Sequence, residues 1–180
     1  MEIHTCNLSD VRIIKPKIFG DSRGYFLESY NSDKYKSFLG DTQFVQDNES
    51  LSSKGVIRGL HFQNPPFAQG KLVRVIKGAV LDVIVDIRKN SPTYGHCHCE
   101  LLTEENKTQV WVPVGFAHGF ETLENDTIFA YKCTSNYNVD SEGSIYWNDP
   151  TLNIPWKTKD PIISAKDQHQ NLFENFNSPF

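Results

Sequence analysis

GVIRGLHFQNPPFAQGKLVRV, residues 55–75, reads as a strand, a turn and a second strand. Val, Ile, Leu and Phe favour extended backbone, and Pro65-Pro66 interrupts the run. Side chains alternate between the faces of a strand, which puts Gly55, Ile57, Gly59, His61 and Gln63 on one side. Lys71, Val73 and Val75 share a side of the second strand. If the two sides meet inside a barrel, His61 and Lys71 look into one pocket. On this reading the glycines beside His61 leave room for a sugar ring. Taken alone, His61 is as readily a packed core histidine as a catalytic one.

The same texture continues outward. Residues 79–88, AVLDVIVDIR, are the clearest strand. Leu81, Val83, Val85 and Ile87 form an apolar face, and Val80, Asp82, Ile84, Asp86 and Arg88 a mixed one. Residues 126–135 alternate likewise, with Phe129, Tyr131 and Cys133 on one side. Turn signals recur at short intervals, among them Gly20-Asp21, Gly40-Asp41, Ser91-Pro92, Asn125-Asp126 and Asp149-Pro150. Helix is confined to 32–39, with a Ser cap and a stop at Gly40, and to a second segment after Ser164. This pattern predicts an all-β double-sheet jelly roll with a few short helices, as one domain over residues 1–180.

A formal net charge of −4 argues against a non-specific nucleic-acid surface, so an anionic ligand must be met by local Arg and Lys. No apolar run is long enough to span a membrane, and the N-terminus MEIHTCNLSDV lacks a signal-peptide pattern; cytoplasmic is the simplest reading. Cys6, Cys97, Cys99 and Cys133 form no CxxC pair and read as free, buried thiols. The run His96-Cys97-His98-Cys99 suggests a metal site at first sight. Strand alternation would turn its histidines one way and its cysteines the other, and two ligands per face are too few for structural zinc.

Further polar clusters follow in order. DSRGYFLES (21–29) offers Arg23 and Glu28, and FVQDNES (44–50) offers Gln46, Asp47 and Asn48. VPVGFAHGF (112–120) sets His118 between glycines, YKCTSNY (131–137) carries two tyrosines, and WNDP (147–150) and SAKDQ (164–168) close the series. Each alone has an ordinary structural explanation: surface charges, a tight corner, a turn with an aromatic lid. Together with RGLHFQ, QGKLVRV and VDIR followed by SPT, from about residue 12 to about residue 168, they closely resemble the dTDP-4-dehydrorhamnose 3,5-epimerases.

That resemblance implies a cupin-type double-stranded β-helix, a homodimer, a dTDP-linked 4-keto-6-deoxy sugar as substrate, and neither metal nor organic cofactor. By the same resemblance His61 is the proton-abstracting base, Asp167 its orienting carboxylate, Tyr131 the proton donor on the opposite face, and Lys71 the stabiliser of the enolate oxygen. Arg23, Glu28, Gln46, Asp47, Asn48, Arg58, Lys71, His118, Glu142 and Lys166 match substrate-binding positions, some of them reaching the partner's site. The chemistry suits these residue types. A ketone at C4 acidifies the hydrogens at C3 and C5; an imidazole has a suitable pKa to remove them, and a fixed cation stabilises the enolate. Inversion needs an acid on the other face, a role open to a tyrosine.

Three other readings stay open at this level. A relative could epimerise only C3 or only C5. A metal-dependent cupin would want an HxH pair, whereas Phe62 and Gln63 follow His61. A non-enzymatic sugar-binding module would leave the coincidence of base, carboxylate, lysine and tyrosine unexplained.

Overall fold

The computed structural model describes all 180 residues. Fourteen strands run in chain order. β1 (Glu2–Thr5) and β2 (Arg12–Lys15) open the chain, and β3 (Ile18–Asp21) and β4 (Gly24–Leu27) form a separate two-stranded arm. Helix α1 (Ser32–Leu39) precedes β5 (Gln46–Ser52), β6 (Val56–Gln63), β7 (Lys71–Lys77) and β8 (Ala79–Asp86). β9 (Cys97–Thr103), β10 (Gln109–Val112), β11 (Phe116–Thr122) and β12 (Thr127–Cys133) follow, then β13 (Glu142–Ser144) and β14 (Ile162–Ile163). One sheet has the order β1-β2-β10-β7-β12-β5. The other runs β13-β6-β11-β8-β9, and β14 adds in parallel to β6. Neighbours far apart in sequence, such as β6 with β11 and β7 with β12, mark the cupin-type jelly roll.

Three apolar clusters explain which face of each strand points where. The largest lies between the sheets: Val73 and Val75 of β7, Val80 and Ile84 of β8, Val110 and Val112 of β10, and Phe116, Phe120 and Phe129. A second covers the outer face of the other sheet, where Leu81, Val83, Val85 and Ile87 meet Leu60, Phe62 and Ala117 beneath a C-terminal segment carrying Phe173, Phe176 and Phe180. The mixed face of β8 therefore points into the barrel, and all eight of its residues are buried. In the third, Tyr35 of α1 packs on Ile14, Leu72 and Trp111.

α1 occupies the expected residues, but its cap is Asn31 rather than Ser32: the Asn31 side chain accepts from the amides of Asp33 and Lys34. Gly40 ends it at φ 63. The expected C-terminal helix does not form. Two 3₁₀ turns, Asp167–His169 and Phe173–Asn175, stand in its place, with Gln170 and Leu172 extended between them. Asp167 turns back toward β6, and Phe173 and Phe176 pack on the outer sheet, demands that one continuous helix could not meet together. All four cysteines are free; Cys133 is buried and the other three are half-buried. On β9 the thiols of Cys97 and Cys99 pack on the outer cluster, while His98 contacts Asn7 and Glu100. No helix is long and apolar enough to cross a membrane.

Candidate active site

A cavity of about 500 Å³ opens into the barrel, lined by Arg58, His61, Lys71, His118, Tyr131, Lys166 and Asp167 among others. Phe120 and Phe129, stacked with centroids 4.2 Å apart, belong both to its wall and to the core beneath.

β6 brings both Arg58 and His61 to the cavity through an irregularity. His61 pairs with His118 on β11, but Arg58 pairs with Phe120. Three steps along β6 thus match two along β11, so β6 carries a one-residue bulge. Strict alternation would send Arg58 and His61 to opposite faces; the bulge returns both to the cavity. Gly59 sits at this bulge with φ 134, and a Cβ there would lie 2.6 Å from the Gly119 Cα. The expectation that Gly55 and Gly59 clear space for a sugar is therefore corrected. Gly59 lets two strands approach closely, and Gly55 faces Thr158 and Asp160.

His61 donates from Nε2 to Asp167 Oδ1 at 2.6 Å. The Asp167 side chain is 4% exposed and that of His61 36%. Burial pushes the Asp167 pKa up, but the His61 hydrogen bond and charge more than offset it, leaving the carboxyl below its ordinary value. The Ser164 hydroxyl accepts from the Asp167 amide and steadies the turn. With Nε2 committed, Nδ1 is the free nitrogen of His61.

Lys71 starts β7, paired with Cys133 of β12. Its Nζ makes no ion pair and stands 6.0 Å from the Tyr131 ring centroid. Burial lowers its pKa, and the charges of Cys133 and Asp82 act in the opposite sense. Tyr131 lies between Asn48 of β5 and Val73 of β7. Burial raises its pKa, so the phenol holds its proton. His118 is buried and donates from Nε2 to Asp82 Oδ1 at 2.7 Å. No three His, Cys, Asp or Glu side chains converge as a metal cluster would require.

The remaining sequence-derived positions divide. Glu142 of β13 pairs with Lys166 at the cavity edge. Gln46 and Asn48 are joined by a 3.0 Å hydrogen bond, and Asn48 also contacts the Cys133 thiol inside the barrel. Asp47 alternates to the other side and pairs with Lys132 at 2.9 Å. Arg23 lies on the exposed arm, bound to Asp21, and Glu28 follows the arm, bound to Lys34. Neither lines the cavity of its own chain. Sequence reading did not single out Asp82, although a carboxylate inside an apolar strand is itself a signal, because a buried charge needs partners.

Fold and cavity together define an enzyme of the cupin-type isomerase class. The chain belongs to the dTDP-4-dehydrorhamnose 3,5-epimerase family, whose sequence profile matches residues 5–175. It is 53% identical to the dTDP-4-dehydrorhamnose 3,5-epimerase of Salmonella typhimurium, over 93% of this chain and 92% of that one. The crystal structure of dTDP-6-deoxy-D-glucose-3,5-epimerase from Legionella pneumophila, in complex with dTDP-4-keto-L-rhamnose, superposes with a TM-score of 0.94 at 47% identity, covering 98% of this chain and 94% of that one. A 3'-monoepimerase from Streptomyces bikiniensis, in complex with dTDP-quinovose, superposes at 0.91 with 30% identity, covering 95% and 87%.

Proposed function

We propose that this chain, as a single epimerase domain, inverts C3 and C5 of dTDP-4-dehydro-6-deoxy-D-glucose to give dTDP-4-dehydro-L-rhamnose. The observation that carries this reading is the convergence of the His61–Asp167 pair, Lys71 and Tyr131 on one cavity. His61 removes a proton next to the C4 ketone, and Asp167 stabilises the resulting imidazolium. Lys71 faces the enolate oxygen in a dry setting, where a fixed positive partner contributes about 3 kcal/mol to the transition state. Tyr131 returns a proton from the opposite face. Repeating the sequence at the second carbon completes the change from the D to the L series.

Arg58 and Lys166 are the cations of the cavity suited to the diphosphate. Arg23 and Glu28 act in the site of a second copy. This homodimer is supported by the arm, which leaves Ile18, Phe19, Tyr25 and Phe26 exposed, an apolar surface that a free monomer has no use for. Phe26 or Tyr25 would then lie against the nucleobase of the partner's substrate. Four free cysteines fit a reducing compartment such as the cytoplasm.

The test is NMR in D2O with dTDP-4-keto-6-deoxy-D-glucose. Loss of both the C3 and C5 proton signals, abolished by His61→Ala, is expected. Loss at one carbon would make the chain a mono-epimerase, and no loss with nucleotide bound would refute the activity.

A further inference from the structure

The proton transfers proposed above make no use of Asp82, yet this carboxylate is wholly shielded from solvent at the centre of β8. Its Oδ1 accepts from His118, while Oδ2 is buried without a hydrogen-bond partner. A buried carboxylate with an open acceptor calls for a charge to answer it. Of the other carboxylates, Asp167 in the cavity wall is engaged by His61 and Glu142 at the cavity edge by Lys166. Lys71 is the opposite case, a cavity amine with no ion-pair partner of its own. Cys133 of β12 pairs with it and the Tyr131 ring lies beside it; Arg58, His61, His118, Lys166 and Asp167 share its cavity, and Asp82 lies behind His118. Burial disfavours the ammonium, Cys133 and Asp82 act in the opposite sense, and Asp82 is the carboxylate of the two.

We propose that Asp82 is a positioning residue for the epimerisation: Oδ1 holds His118 as the Nε2–H tautomer, leaving Nδ1 as its free acceptor, and Oδ2 is the counter-charge that keeps Lys71 an ammonium. The inference deepens the proposed function and rests on it. Its kinetic consequence lies at high pH. Tyr131 and Lys71 must both be protonated. Burial raises the pKa of Tyr131 and lowers that of Lys71, so the two groups respond to the cavity in opposite senses. Asp82 contributes to the balance at Lys71 and not to that at Tyr131.

Asp82→Asn removes the charge at nearly constant shape, and the ¹⁵N spectrum of the His118 ring in the variant shows whether the amide oxygen still accepts from Nε2. The variant should lower kcat about 10–100-fold, as when the carboxylate behind a functional imidazole is removed. KM should change less, and the alkaline limb of the kcat profile should move toward acid by about one pH unit or more. An alkaline limb that stays in place, in a variant with wild-type circular dichroism, overturns the counter-charge role. If the variant does not fold, ¹⁵N spectra of the His118 ring in the unmodified protein decide: the Nε2–H neutral tautomer supports the assignment and the Nδ1–H tautomer overturns it. Absence of C3 and C5 exchange in the unmodified protein would instead refute the proposed function, and the tautomer measurement would still judge Asp82.

Discussion

Replacing Asp167 by Asn tests the core of the chemistry, and its size follows from the geometry. The His61–Asp167 contact is 2.6 Å, with the carboxylate 4% exposed. When His61 takes a proton, its charge centre lies about 4 Å from that of the carboxylate, an attraction of about 4 kcal/mol at an effective dielectric near 20. His61 is 36% exposed, so solvent screening roughly halves this to about 2 kcal/mol, or about 30-fold in rate. The amide can also present an N–H where the carboxylate presents a lone pair, stabilising the wrong tautomer of His61. The two effects together place the expected loss of kcat at about 30–1,000-fold, with a smaller change in KM. The assay is deuterium uptake at C3 and C5 by NMR, alongside dTDP binding by calorimetry. Stability supplies a second check. The Asp167 pKa is depressed by folding, so its contribution is complete above the ordinary carboxylate pKa and is lost as pH falls through the lowered value. The stability gap between wild type and variant should therefore close in acid. A kcat within about threefold of wild type, in a folded variant that binds dTDP, would refute the orienting role.

Lys71→Ala should leave dTDP affinity nearly unchanged in calorimetry and lower kcat about 100-fold, the equivalent of one lost charge-stabilising donor. Tyr131→Phe should keep deuterium washout at the hydrogen facing His61 while slowing inversion about 100-fold or more, a separation visible in one NMR time course. Gly59→Ala would press a Cβ to 2.6 Å from the Gly119 Cα and 3.0 Å from the His118 carbonyl at φ 134; a loss of about 3 kcal/mol or more in urea unfolding is expected. Asp86 offers a pH test away from the cavity. Burial raises its pKa, but hydrogen bonds from Arg88, Ser91 and Thr93 prevail and bring it to about 2. Its contribution of about 2 kcal/mol should be present above pH about 4 and disappear as pH falls toward about 2; Asp86→Asn should flatten that part of the stability curve.

Period-two alternation determined much of this protein before any coordinates. It identified β8 and β12, grouped Tyr131 with Phe129 and Cys133, and separated the apolar face Leu81–Ile87 from the mixed one, because the pleat enforces alternation wherever a strand is regular; which face points into the barrel came from the structure. His61 and Lys71 were legible as cavity residues for the same reason. The roles assigned to them came from the order of motifs, not from alternation. Where the backbone departs from regularity, the sequence said less. Gly59, isolated within a strand, is a hint of the bulge that strict alternation passed over, but that the bulge brings Arg58 to the same side as His61 depends on how β6 meets β11. Asp167 was named on family likeness and expected in a helix; the demand of a histidine 106 residues away and of the outer core broke that helix into two turns. Asp82 and His118 are 36 residues apart and become a pair only because β8 and β11 are neighbours. Strand direction is a local property and can be read from local spacing. Which charged groups answer one another is a property of strand order, and only the closed barrel decides it.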